Sequence, residues 1–385
     1  MAFGTPATTY VIELWSSAGS LLGDISKLTQ NREYILTRND AEQFTFDLDL
    51  TAFEQYCASI NESPLAMLAP YQTDVKVKRN GVYIFGCQVV GITFNFQPND
   101  SGVNPETSTY NNITTLTETV TVSCTGYLNL FADRYILSQV YANADPCYIA
   151  KDMINQSQAL TNGNVGVTIN GSSYMTGAAI SPTLTQQNIK EELQTLTTLV
   201  GSNFDFGFDY NKVFTTYQMI GSVRNDITLV YGGPGSNVTG LYHQRTASGT
   251  LLNEIIGLGS GFGADQLSCV LDNTTSQVDY YLRQDIKQYS NVTDQPTLNA
   301  YTAADLAIES SILEIPQIII TGKALVGLPF LNAGDRLPLS FPTHPFLANL
   351  NGQYFRIEQM DVKLDDNDFE YEIAITFDNY GLNID

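Results

Sequence analysis

Two histidines bound the proton-transfer chemistry open to this 385-residue chain. A Ser/His/Asp relay needs an imidazole to carry the proton from nucleophile to leaving group. His344 sits between Thr343 and Pro345 in a rigid loop, and His243 sits beside Tyr242 in a run of strand character. No Gly-x-Ser-x-Gly elbow stands ahead of a helix, so both histidines read as ordinary loop or surface residues. Two imidazoles cannot build a histidine-rich metal site, and no HExxH occurs. Gly257, Gly259, Gly261 and Gly263 alternate along one stretch. A dinucleotide loop needs two residues before its third glycine and a following helix with a ribose-binding acid. Neither is written here, and no Gly-Lys-Ser/Thr occurs, so the stretch reads as a strand end where backbones crowd. Asp365, Asp366, Asn367 and Asp368 offer oxygens to a hard cation, but without calcium-loop spacing or its glycine they read as a solvated turn. Forty acidic residues can supply a carboxylate pair for glycoside hydrolysis, yet nothing in their placement singles one out. The expectation is therefore no catalytic residue, no metal ligand and no cofactor.

Cys57, Cys87, Cys124, Cys147 and Cys269 are odd in number, without a repeated spacing or a CxxC. They read as buried free thiols of a reducing compartment. The first residues, Met1 to Pro6, carry no basic and apolar signal segment. Triplets such as the one at Asn112 are what an Asn- and Thr-rich chain gives by chance. No apolar run approaches the roughly 18 residues of a membrane span. Net charge is −22, from 18 basic and 40 acidic residues. That excludes a broad phosphate-gripping face and adsorption to anionic membranes. Charged residues make up only 15% and hydrophobic ones 43%, so the chain can bury large cores and is no disordered acidic tail.

The elements that must carry these residues are mostly strands. Tyr10–Trp15 and Phe44–Leu50 alternate as half-buried strands do. Asn80-Gly81 between Asp74–Lys78 and Val82–Phe85 marks a tight hairpin, with a further strand over Cys87–Phe96. Gln97–Tyr110 reads as a long exposed loop, and Glu118–Cys124 as the strand that closes the set. Asp145-Pro146 opens a helix through Ile154. Ser181-Pro182 precedes a second helix, with Ile189, Leu193, Leu196 and Val200 on one face and Gly201 at its end. Strands follow at Phe204–Tyr210, Val213–Tyr217 and Ile227–Tyr231. The last third returns to strands at Leu251–Leu258, Leu267–Leu271, Gln317–Thr321, Asp335–Leu339, Tyr354–Val362 and Phe369–Phe377, with Tyr280–Tyr289 open to either state. The fold class expected is mainly β with an α+β insertion: two tube-type antiparallel β-barrel domains flanking a small mixed region. Residues 1–139 form the first barrel, 140–250 the α+β domain, and 251–385 the second barrel with one helix near 297–314.

In order along the chain, several segments resemble one family. They are Asn31–Glu33 with Phe44–Leu48, Val75–Val77 with Gly81–Val90, and Thr119–Gly126 leading to Leu130–Arg134. Leu251–Glu254 with Gly257 and Gly259, Ala333–Leu339, and Tyr354–Ile357 with Phe369–Ile373 complete the set. The chain resembles the central hub proteins of phage tail tips and baseplates, shared by contractile and long non-contractile tails. The resemblance implies a non-enzymatic structural protein of the virion, made in the host bacterial cytoplasm. It implies a homotrimer whose two barrels per chain form a pseudo-sixfold ring, adapting the sixfold tail tube to a threefold spike or fibre and helping close the channel. The implied partners are further copies of itself, a tail tube or distal tail protein ring, a central spike or fibre protein and the tape-measure protein. No sequence-specific nucleic acid and no membrane insertion belong to this expectation. Since the chain stops at Asp385 just after its last strand, cleaving or receptor-binding modules are expected on other chains. The alternatives are a hexameric distal tail, tube-capping protein and a carbohydrate-active β-protein.

Overall fold

The computed structural model describes residues 8–97, 117–199, 203–247, 251–310, 312–325 and 330–378. Residues 98–110 of the expected loop, Met1–Pro6, Asn112 and the helix end at Gly201 lie outside them. The described residues fall into two compact units, neither a continuous segment. The first draws on Met1–Leu36, Glu42–Tyr127 and Asp361–Ile373, the second on Thr37–Ala41, Leu128–Met360 and Ala374–Asp385.

The first unit is an antiparallel sheet. Its strands are β1 (Tyr10–Ser16), β2 (Leu21–Asp24), β3 (Thr29–Thr37), β4 (Gln43–Asp49), β5 (Thr73–Arg79), β6 (Val82–Gln97) and β7 (Thr117–Gly126), in the order β3-β4-β7-β6-β5-β1-β2. In β4 alternation decides which face is buried, with Phe44, Phe46 and Leu48 inside. Ile12, Leu14, Val75, Val77, Val120 and Val122 are buried as well, though in β1 and β5 Glu13, Asp74 and Lys76 on the other face are also covered. Asn80 (φ 51°) and Gly81 (φ 79°) both adopt the left-handed backbone that a two-residue turn between β5 and β6 demands. The two strands expected over Val82–Phe85 and Cys87–Phe96 are one long strand, β6.

Leu50 is not the end of a strand. It opens helix α1 (Leu50–Ser59), because the Asp49 side chain accepts from the Ala52 N–H and caps it, and Phe53 and Cys57 then fall on one buried face. Helix α2 (Pro64–Met67) follows before β5.

The second unit begins with β8 (Tyr135–Val140), α3 (Pro146–Ala159), β9 (Thr168–Ile169), β10 (Thr183–Asn188), α4 (Ile189–Thr197), β11 (Asp205–Phe208), β12 (Val213–Tyr217), β13 (Leu229–Val230) and β14 (Gly240–Ala247). It continues with β15 (Glu254–Leu258), β16 (Ser268–Asp272), α5 (Thr274–Tyr280), β17 (Gln284–Gln288), α6 (Gln295–Glu309), β18 (Ile312–Ile320), β19 (Arg336–Ser340), β20 (Tyr354–Leu364) and β21 (Glu370–Asp378). Asp145 caps α3 as expected, with Pro146 at its first position. Pro182 leads into strand β10 rather than a helix: α4 starts only at Ile189, where Asn188 accepts from the Glu191 N–H. Tyr280–Tyr289 divides, since α5 ends at Tyr280, Tyr281 turns at φ 59°, and β17 follows.

The apolar faces of α3 and α4 meet β8–β12 in a core built on Met153, Ile154, Leu193, Leu196, Phe206 and Phe214. The remaining strands of the same 13-stranded sheet as β1–β7 run β14-β18-β21-β20, with β19 on β20 and β13 on β19. Strands β20 and β21 belong to both units, since their connecting tip falls in the first. The fold is mainly β, with large antiparallel sheets and a mixed α+β portion.

Candidate assembly surface

The three-stranded sheet β16-β15-β17 has two unlike faces. On one, Ile255, Gly257 and Cys269 meet α6: the Cys269 thiol reaches Thr302 Oγ1 at 3.2 Å, and a Cβ on Gly257 would stand 2.1 Å from that same oxygen. The close approach explains a glycine there, and here side chains rather than backbone do the crowding. A Cβ would meet backbone oxygens instead at Gly259 (Val292, 3.0 Å) and Gly261 (Asp265, 2.7 Å). On the other face, register places Val270, Ile256 and Ile286 in one row across all three strands. Val270 is 59% exposed and Ile286 56%. β-Branched side chains suit a strand, but a row of them left in water is the mark of a surface that meets something. Strand β8 adds a second such feature. Its sole strand partner among the described residues is β10, and Tyr135, Leu137 and Val140 are exposed along it.

The second unit also holds a buried charge cluster around a cavity of about 360 Å³. Asp205, 3% exposed, accepts from Arg38 at 3.0 Å and Asn39 at 2.9 Å on one oxygen. Its other oxygen accepts from the Ile220 N–H at 2.7 Å and from Arg356. Arg38 also grips Glu358 and Asp378, each at 2.8 Å. Burial pushes the Asp205 carboxyl up, but Arg356 and Arg38 beside it outweigh this and hold it below the usual carboxylate range. For Glu358 burial wins over Arg38, helped by Asp378, and its carboxyl is raised. Every charge has a partner, so the cluster ties together the Thr37–Ala41 segment, β11, β20 and β21 and offers no free group for catalysis.

The residues singled out from sequence are not brought together. His344 is half-buried in its loop, with its ring 6.3 Å from Phe346. His243 lies on β14 opposite Pro316. Asp365 accepts from the backbone N–H groups of Asn367 and Phe369, closing the turn. Asp368 is more than solvated: within the first unit it pairs with buried Arg32 at 2.5 Å and accepts from the Tyr10 N–H. Among the described residues no group of three His, Cys, Asp or Glu could hold a metal, and no helix is long and apolar enough to cross a membrane. All five cysteines are free, four of them buried, and burial pushes the Cys147 thiol up to about 12. Sequence reading passes over the Arg38–Asp205–Arg356 cluster. Its one signal is Arg356 inside the apolar run Phe355–Ile357, since a cation there must find a carboxylate.

No family model and no curated protein matches the chain. Solved structures do. The tail protein from Neisseria meningitidis MC58 aligns at TM-score 0.61 and 12% identity, covering 97% of this chain and 97% of that one. The 43 kDa tail protein of prophage MuSo2 from Shewanella oneidensis aligns at 0.57 and 12%, covering 96% and 98%. Prophage tail protein gp18 from Listeria monocytogenes EGD-e aligns at 0.54 and 11%, covering 97% and 95%. The chain has the fold of these tail proteins.

Proposed function

We propose that this protein is a structural, non-enzymatic component of a phage tail or a phage-derived tail particle, forming a trimeric hub ring at the distal end. The observation that carries the reading is the fold likeness to tail proteins from end to end of both partners, at least 95% of each. Two barrel modules per chain, from residues 1–139 and 251–385 with 140–250 at the periphery, let three copies present six modules to a sixfold tube. The row of exposed Val270 and Ile286 with half-buried Ile256 between them, and the β8 edge, are the surfaces on which neighbouring tail proteins would close, since apolar burial is the main source of affinity in lasting assemblies. A tail tube or distal tail ring above, a spike or fibre below and a tape-measure chain within the channel are the partners this role calls for. A net charge of −22 suits a channel wall that lets DNA pass without phosphate contacts.

The test is an averaged electron-microscope image of the isolated full chain. A threefold ring with a central opening is expected. A sixfold ring assigns the protein to the tube-capping class instead, and particles without a ring overturn the hub reading.

A further inference from the structure

A second cavity of about 310 Å³ lies inside the second unit, between α4, the end of β17 and α6. Two carboxylates line it, and they are treated differently. Asp305 accepts from the Tyr289 hydroxyl at 2.6 Å and stands 3.3 Å from the Lys287 ammonium, so its charge is balanced. Glu192 is only 4% exposed, and among the described residues its side chain has one hydrogen-bond partner, the Tyr301 hydroxyl, which donates to Oε1 at 3.2 Å. No lysine or arginine pairs with it among the described residues. Burial alone pushes its carboxyl up, to about 7, against the opposing pull of Tyr301. An isolated carboxylate at such a site is costly to bury, and a cation entering the cavity removes that cost.

The other walls favour the same guest. Tyr289 and Tyr301 both line the cavity, their ring centres 5.9 Å apart, and aromatic faces attract ammonium groups. Thr183, Gln187 and Asn291 add polar atoms around them. We propose that this cavity is a binding site for a primary alkylammonium group, held by Glu192 beside the contacting ring pair of Tyr289 and Tyr301. The guest's ammonium hydrogens occupy the carboxylate positions left open beside the Tyr301 hydrogen bond, and its short alkyl stem lies against the rings. The source is either a free amine or the side chain of a lysine on another protein. The inference is independent of the tail reading, since it rests on the cavity alone.

The experiment is isothermal titration of the full-length chain at pH 8 with n-butylammonium chloride, with n-butanol as the neutral isostere. Saturable binding is expected for the cation, with butanol at least tenfold weaker. Glu192→Gln keeps the shape and removes the charge, and is expected to weaken n-butylammonium at least tenfold while its circular dichroism stays that of the parent. A lysine capped at both ends separates the sources: binding like n-butylammonium points to a protein side chain, and exclusion of it to a free amine, both with the site intact. Absence of saturable n-butylammonium binding to the parent overturns the proposal. So does equal binding of butanol, or equal binding by a folded Glu192→Gln chain.

Discussion

In the cavity around Asp205, two guanidinium groups and three carboxylates close on one another. In the cavity beside α4, Glu192 meets a tyrosine hydroxyl and, among the described residues, no cation. Both Asp205 and Glu192 are almost wholly buried, so burial does not separate them. Partnership does. A buried carboxylate with its cations in place fixes segments far apart in sequence, whereas one without them keeps its proton towards neutral pH and is costly only when ionised.

The largest effect should come from breaking the closed cluster. Asp205→Ala leaves Arg38 and Arg356 facing each other without their shared partner, and is expected to cost about 3–5 kcal/mol in urea unfolding. A loss under about 1 kcal/mol would mean that the cluster does not clasp the second unit.

The next effect separates the two cavities by the sign of their pH dependence. The folded chain holds a proton on Glu192 up to about pH 7, while the unfolded chain releases it near the ordinary value of about 4.3. Stability from this group is therefore lost as pH rises between those values, by about 3–4 kcal/mol in all, and is flat above them. Asp205 runs the other way. Held low by Arg356 and Arg38, it contributes fully above about pH 4, and that contribution disappears as pH falls through its lowered value. Unfolding midpoints of the parent and Glu192→Gln chains from pH 4 to pH 8 check the contrast. The variant should lack the loss between pH 4 and 7, and parallel curves would contradict the assignment.

The smallest effect on the chain itself is expected at the surface. Val270→Asp on the outer face of the β15 sheet should change unfolding stability by no more than about 0.5 kcal/mol, because the side chain is already in water. Its effect should appear in assembly, as a lower yield of rings. A large loss of stability would show that the row is part of a core rather than a contact surface.

The strands were the legible part of the sequence, because their signals are local. Asn80-Gly81 named its own hairpin, Asp145-Pro146 its own helix start, and the period-two run of β4 its buried face. Helix α1 was hidden by what precedes it. The alternation of β4 runs into Leu50 without a glycine or proline, and only Asp49 as cap and the spacing of Phe53 and Cys57 mark the change. The Asp205 cluster left almost no local trace, since Arg38 meets partners 167 and 340 residues away. Glu192 did leave one. It lies three residues after Ile189 and four before Leu196, on the apolar stripe of α4, where a carboxylate is out of place.

The central claim is the trimeric hub, and the most direct measurement of it is the mass of the purified full chain in solution by light scattering at micromolar concentration. Three times the 42.3 kDa chain mass is the predicted result. A stable monomer, or an assembly of six copies, would contradict it.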